Sequence, residues 1–435
     1  MFALPASGQT LDEALATAYS KNPGLLAARA DLRAKDEAVP QALASWRPNV
    51  AMTADIARSY THLNTRTPKN RDNIQSPRNM SLDVTQPLFR GFRTSAGVAK
   101  AELSVNSTRA TLIGKEQDVL LSAVTAYMSV VQDEAKLDLK INNEQVLKRQ
   151  LEATQDRFRV GEITRTDVSQ AEARVAGAAA DRIQFEGNLN NSRSNYLKVI
   201  GKEPGKLMAP SALSTALTSL ESTVKAAVTD HPDIISQRYL EQSARINIKS
   251  VRGELLPTVN LAGKLSRAWE ASGHDDQKTT GQMKLSLSIP LYQKGSVYSR
   301  LRAAKQSARQ SLQKLEETRR SVSEAAAKAW ESLQTAKARI KSYSAQIKAA
   351  KIALEGVQRE AAVGSRTVLD VLDAEQELLD AKISLVGANR DKIVASFQLR
   401  EATGQLTAKL LELPVQRYSP SKHYKKIRSK WLGSE

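Results

Sequence analysis

The sequence predicts a mostly α-helical, internally duplicated chain. Each half supplies two strands to a transmembrane β-barrel and continues into long coiled-coil helices. Three observations lead there. NPGLLAARADLRAKDEAVPQALASWRP (22–48) lies over HPDIISQRYLEQSARINIKSVRGELLP (231–257) without a gap, Pro23 over Pro232 and Pro48 over Pro257. Four segments alternate apolar and polar residues with period two, as strands with one apolar face do. Two proline-free runs, 88–203 and 291–413, keep Ala- and Leu-rich spacing of threes and fours throughout.

Internal repeats govern every later assignment. After the first matched stretch the offset drops from 209 to 203 and stays there: Pro87-Leu88-Phe89 over Pro290-Leu291-Tyr292, Tyr127 over Trp330, Gly161 over Gly364, Asp167 over Asp370, Gly201 over Gly404. The change falls between the hairpin-like segments, where a loop differs in length. The chain therefore divides into a first repeat, 1–218, a second, 219–405, and a basic C-terminal tail, 406–435.

Each repeat opens with a helix, 22–46 and 231–255. Asn-Pro or His-Pro starts it and Arg-Pro or Leu-Pro ends it, since proline suits a helix start and disfavours helix in the residue before it. Strands follow. In 49–61, Val50, Met52, Ala54, Ile56 and Tyr60 share a face; in 79–88, Met80, Leu82 and Val84 do. In 258–269 the apolar set is Val259, Leu261, Leu265 and Trp269. In 282–291 it is Met283, Leu285, Leu287, Ile289 and Leu291. Loops 61–79 and 270–281 join them into two hairpins. Long helices come next, 94–158 and 296–360. A helix of the first span is roughly 100 Å long at 1.5 Å per residue, and must pair as a coiled coil to bury its narrow apolar stripe. Returning helices, 165–200 and 368–403, end at Gly201 and Gly404, candidate C-terminal caps. Between the long helices lie VGEITRTDV (160–168) and VGSRTVLDV (363–371), reversals for which Gly161 and Gly364 supply the backbone freedom.

Composition narrows the function. Aromatics are 5% of residues and cysteine is absent, which excludes disulfides, a thiolate metal site, a catalytic cysteine and a lipid-bearing cysteine in this sequence. His62, His231, His274 and His423 are scattered without ligand spacing. There is no nucleophile elbow, P-loop, metal-ligand cluster or dinucleotide fingerprint, so no catalytic residue, metal or cofactor is assigned and the chain is not read as an enzyme. No apolar run reaches the ~20 residues of a transmembrane helix. MFALPASGQTLDEAL has no basic segment followed by an apolar core, so an exported protein would be represented here without its signal peptide. The net charge of +18 is mostly interspersed with Glu and Asp along helical faces. The exception is SKHYKKIRSK (421–430), expected to be a mobile solvated tail.

No second layer is available to cover the strand faces, so the apolar face is expected to meet lipid and the polar face a water-filled lumen. Tyr60 and Trp269 at one strand end, with Trp46, Phe89, Phe92 and Tyr292 at the other, suit interfacial aromatic girdles. Four strands cannot close a barrel, and open edges are not viable in lipid. The chain must oligomerise: two copies would give eight strands with a filled interior, three would give twelve and a lumen.

These residues resemble the TolC family of outer-membrane efflux and type I secretion ducts, from Leu11 to about Leu413. The resemblance rests on LDEALATAYSKNP, SWRPNV, QPLFRGFRT, RFRVGEITRTDVSQAEA and VGSRTVLDVLDAEQELLDAK. It implies a homotrimer with a twelve-stranded barrel in the outer membrane of a Gram-negative bacterium, in contact with its lipid. A twelve-helix periplasmic tunnel would passively export small toxic compounds or proteins. Implied partners are a periplasmic adaptor (membrane fusion) protein and an inner-membrane RND or ABC transporter, with no nucleic acid. The tips that would dock the adaptor correspond to Val160, Gly161, Glu162 and to Val363, Gly364, Ser365, although plain helix-hairpin turns fit the glycines equally well. Asp370 and Asp373, sharing a helix face, correspond to the acidic ring at the tunnel entrance. Arg366 corresponds to the latch arginine, with Thr166 and Asp167 as its partners. The tyrosine of the family's latch is Ala361 here. The competing reading is a soluble structural coiled-coil protein with a basic nucleic-acid-binding surface.

Overall fold

The computed structural model describes residues 9–63, 71–213, 219–270 and 276–433. Parts of both predicted loops, 64–70 and 271–275, lie outside the described residues, as does the junction 214–218 between the repeats. The chain forms two compact units. One gathers residues up to Asp31 with Arg109–Ile235 and Glu316–Ser419; the other gathers Leu32–Thr108, Ser236–Leu315 and Pro420 onward.

The second unit holds the strands. Helix α1 (Leu11–Lys21), of the first unit, is followed by α2 (Pro23–Asp36) and α3 (Ala38–Ala44), two helices where one was expected over 22–46. Pro40 accounts for the break at Glu37, because its ring has no N–H to give Asp36 and clashes with that carbonyl. The second repeat has Lys249 at the matching place, and there α7 (Pro232–Arg252) runs unbroken into a 3-10 turn, Gly253–Leu255.

Among the described residues, six strand segments replace the expected four. The first hairpin comprises β1 (Asn49–Ile56), β2 (Ser59–Leu63), β3 (Arg71–Gln75) and β4 (Arg78–Arg90). The ladder is interrupted opposite Pro77, which has no N–H to donate; only its carbonyl is used, accepting from Ala57 N–H at 3.0 Å. The second hairpin is β5 (Thr258–Trp269) with β6 (Gln277–Ser288), so β6 starts before residue 282 and stops short of Pro290. The sheet order is β1-β4-β5-β6, antiparallel throughout, with β2-β3 as a separate ladder.

The register sorts the two faces. Val50 faces Val84, Met52 faces Leu82, Leu82 faces Leu265, and Leu261 faces Leu285. Thr53, Ser81 and Ser266 align on the opposite face, as do Asp83, Lys264 and Gln282. On that face the Thr53 and Ser81 hydroxyls are 2.9 Å apart, Ser81 donates to Asp83 at 2.6 Å, and Lys264 Nζ lies 3.6 Å from Asp83. The apolar face is open: Met283 is 80% exposed, and Val50, Met52, Leu265, Leu285 and Leu287 are exposed too. No helix among the described residues is long and apolar enough to cross a membrane.

Each strand-to-helix junction uses two consecutive left-handed residues, Gly91-Phe92 in the first repeat and Lys294-Gly295 in the second. At the first of them the Gly91 backbone presses on Gly253: a Cβ built on either residue would sit 2.2 Å from the other's carbonyl oxygen. The segment after Pro420, expected to be a solvated tail, is instead helix α10 (Pro420–Ile427). Its Ile427 is buried, His423 Nδ1 lies 3.2 Å from the buried Asp36, and Arg428 holds Glu102 at 3.1 Å.

The first unit is helical. It contains α1, most of α4 (Arg93–Arg159), α5 (Arg165–Ile200), α6 (Leu220–Asp230), much of α8 (Ser296–Ala362) and α9 (Val368–Ala402). At 67 residues each, α4 and α8 are about 100 Å long. Buried Tyr127 of α4 ties Gln9 to Met208: its hydroxyl lies 2.7 Å from the carbonyls of both and accepts from Met208 N–H at 3.0 Å. Helix α5 is capped by left-handed Gly201. Helix α9 is capped by Thr403, with Gly404 as the left-handed residue beyond it.

Candidate functional site: two matched turns and the acidic helix beyond them

The reversals between α4 and α5 and between α8 and α9 are built alike. Gly161 and Gly364 have φ of 81° and 78°. Gly161 N–H donates to Phe158 at 3.0 Å and Glu162 N–H to Arg157 at 3.0 Å; Gly364 donates to Ala361 at 3.2 Å and Ser365 to Glu360 at 3.0 Å. These paired bonds are the Schellman closure, which satisfies the last carbonyls of the arriving helix. A capping box then starts the departing helix. Thr164 caps α5 with Asp167, and Thr367 caps α9 with Asp370. The five residues between helices are thus fixed by hydrogen bonds at both ends, while Val160 (72% exposed) and Val363 (81%) project from them.

The charges differ between copies. Arg157 reaches Glu162 at 3.0 Å, whereas its repeat equivalent is Glu360, which holds Arg366 at 2.9 Å. Within the chain, therefore, Arg366 is paired with Glu360 and not with Thr166 or Asp167, and the Asp167 carboxylate accepts from Thr164 N–H and Oγ1 at 2.9 and 2.8 Å. The Asp370 carboxylate is likewise taken by Thr367, at 2.9 Å from its N–H and 2.7 Å from its hydroxyl, and these bonds hold it below the usual carboxylate range. Asp373 pairs with Arg174 of α5 at 2.6 Å.

Asp370 and Asp373 begin a longer feature. Asp370, Asp373, Glu377 and Asp380 lie at spacings of three and four, along one stripe of α9. At the matching places α5 has Asp167, Gln170, Arg174 and Gly177. Arg174, Glu377 and Asp380 were not singled out from the sequence, although comparing the two repeats position by position exposes them.

Behind the stripe, Val368 and Leu372 pack with Leu147, Val175 and Ala178, seating the start of α9 on α4 and α5. Glu375 lines a cavity of about 270 Å3 with Leu139, Val146, Leu354 and Gln358. Burial pushes its carboxyl above the usual range, partly offset by a hydrogen bond from Gln358, and its Oε2 has no protein partner. A carboxyl held above its unfolded value of 4.5 favours the folded state at low pH and loses that contribution as pH rises through the folded value. Glu375→Gln is therefore expected to melt higher than wild type above the carboxylate range, with the two curves converging below pH 4. Melting temperatures across pH 3–8 test this; a gap independent of pH would exclude titration of Glu375 as its source.

An amphipathic sheet joined to two pairs of long helices with matched turns defines a duct-forming outer-membrane protein. The chain belongs to the outer membrane efflux protein family, whose model matches residues 14–202 and 223–405. It is 34% identical to the outer membrane efflux protein BepC of Brucella suis biovar 1 over 98% of this chain and 92% of that one. It is 28% identical to the outer membrane protein TolC of Vibrio cholerae, over 92% and 91%. The fold is shared with the CmeC outer membrane channel of Campylobacter jejuni at a TM-score of 0.82 and 15% identity, over 96% of this chain and 89% of that one. The protein is thus an outer-membrane exit duct of a Gram-negative cell, not an enzyme, with its long helices in the periplasm.

Proposed function

We propose that three copies assemble into one duct, and that it serves a tripartite efflux pump, passing small toxic compounds outward. The observation that carries the assembly is the four-stranded sheet: its edge strands β1 and β6 have no partner within the chain among the described residues, yet its apolar face is fit for lipid. Three copies supply twelve strands, enough for a closed barrel with a lumen. The match to an efflux protein at 34% identity favours efflux over protein secretion.

In this reading the turns at Val160, Gly161 and Glu162 and at Val363, Gly364 and Ser365 dock a periplasmic adaptor, which recruits an inner-membrane RND or ABC transporter. The exposed valines on hydrogen-bonded turns support it, as preformed apolar anchors. Asp370 and Asp373 form the entrance ring, six carboxylates about the threefold axis, and Arg366 latches onto Thr166 and Asp167 of a neighbouring subunit.

A ring of fixed carboxylates selects cations. In planar bilayers under a KCl gradient, wild type is expected to show a cation-selective reversal potential. Asp370→Asn with Asp373→Asn should move it most of the way to zero, since asparagine keeps the capping acceptor while removing charge. Arg174→Gln frees Asp373 and should move it the other way. An unaltered reversal potential in both variants would remove the aspartates from the entrance.

A further inference from the structure

We propose that the C-terminal segment is a lipid-binding element: the cleft between α3 and α10 takes the headgroup of an anionic phospholipid from the periplasmic leaflet of the outer membrane.

The location follows from the sheet. Asn49 begins β1 opposite Thr85 near the end of β4, Arg90 ends β4 opposite Thr258, and Thr258 begins β5 opposite Ser288 at the end of β6. All four strand ends on this side lead into helices, so this is the periplasmic edge of the membrane-spanning part. Trp46, Phe92 and Tyr292 are exposed along it, as aromatic residues at a headgroup boundary are.

The C-terminal segment is fastened to this edge. Arg47, two residues ahead of β1, donates to the Lys430 carbonyl at 2.8 Å, and its guanidinium lies 4.7 Å from the Trp431 ring centre. His423 on Asp36 and Arg428 on Glu102 hold the helix itself. With His423, Tyr424 and Ile427 turned inward, Lys422, Lys425 and Lys426 share the exposed face. None of these lysines, nor Lys430, has an ion-pair partner among the described residues. Beyond them Trp431 is 64% exposed and Leu432 89%.

Between α3 and α10 is a cleft of about 480 Å3 lined by the cationic residues Arg47, Lys426 and Lys430 and by His423, with Glu37 as the one carboxylate in its lining and Trp431 and Leu432 beside it. Cations around a cleft, next to an exposed indole and a leucine at the membrane boundary, fit a phosphodiester with acyl chains attached. Nucleic acid would use the cations but leave Trp431 and Leu432 facing a lipid surface it does not have.

Native mass spectrometry of the intact folded channel, titrated in detergent with phosphatidylglycerol or phosphatidylcholine, tests this. Wild type should retain phosphatidylglycerol in clear preference, and the preference should fall with ionic strength. Each cation at an anionic surface is worth about a fivefold change in affinity, so Lys426→Gln with Lys430→Gln should weaken phosphatidylglycerol about thirtyfold and leave phosphatidylcholine unaltered. Arginine at both positions should keep the preference, and Trp431→Ala should weaken both lipids. Equal retention of the two lipids by wild type would overturn the proposal whatever the variants do. So would a glutamine variant that stays folded and keeps the preference, or tighter binding of a single-stranded oligonucleotide than of phosphatidylglycerol.

Discussion

Gly253→Ala and Gly91→Ala are each expected to collapse the yield of folded channel, Gly91→Ala the more severely. At Gly253 the added methyl meets the Gly91 carbonyl oxygen at 2.2 Å and Arg93 Cγ at 2.8 Å. At Gly91 it meets the Gly253 oxygen at 2.2 Å and Leu256 Cβ at 2.9 Å, in a backbone with φ of 62°. A flexible side chain could yield, but a carbonyl oxygen tied into a 3-10 turn on one side and a strand end on the other cannot without moving the strands. Overpacking of this kind costs about 3 kcal/mol, and left-handed backbone adds roughly 1 kcal/mol for a residue with a Cβ. Gly161→Ala and Gly364→Ala are the controls. They incur the left-handed cost, but nothing lies within 4 Å of their new methyls. Heat-modified mobility on gels, scored as the folded fraction recovered from membranes, should rank wild type above the two turn variants, and both above Gly253→Ala and Gly91→Ala. Recovery of Gly253→Ala at the wild-type level would mean that the two backbones can separate.

That close approach also marks where the sequence stops being readable. Period-two alternation in TVNLAGKLSRAW and its neighbours, and the matched Pro and Gly positions of the two repeats, are local signals, and they carry strands, long helices and turns alike. Gly91 against Gly253 joins the end of one repeat's hairpin to the start of the other's, so no periodicity reports it. The helix break at Glu37 was legible in principle, since Pro40 has no counterpart at Lys249. In the C-terminal segment the charge of SKHYKKIRSK concealed an inward face of His423, Tyr424 and Ile427, because its partners Asp36 and Glu102 lie more than three hundred residues earlier. At the turns, glycine spacing located the reversals, and the Thr-x-x-Asp boxes were there to be read in TRTD and TVLD. The pairing of Arg366 was not, because Glu360 and Asp167 are both carboxylates within reach of it and only the folded turn decides between them.

The choice between those two carboxylates gives the second large prediction. If Arg366 latches the closed entrance across a subunit boundary, Glu360 competes for the same guanidinium from within its own turn. Arg366→Ser should then raise single-channel conductance in planar bilayers, while Glu360→Gln, by freeing the guanidinium for its neighbour, should lower it. A coupling of ordinary size moves the open fraction about fivefold or more in either direction. Asp167→Ala should resemble Arg366→Ser, but it also removes half of the α5 capping box. Thr164→Ala removes the other half without touching charge, and therefore isolates the cap. With Ala361 at the position to which the resemblance assigns a latch tyrosine, no hydroxyl at that place shares the work, which makes the arginine's contribution easier to see. The opposite signs are what make the test decisive. A turn merely loosened by losing the Arg366–Glu360 pair would respond in the same direction to either substitution, whereas competition for one guanidinium requires that they differ.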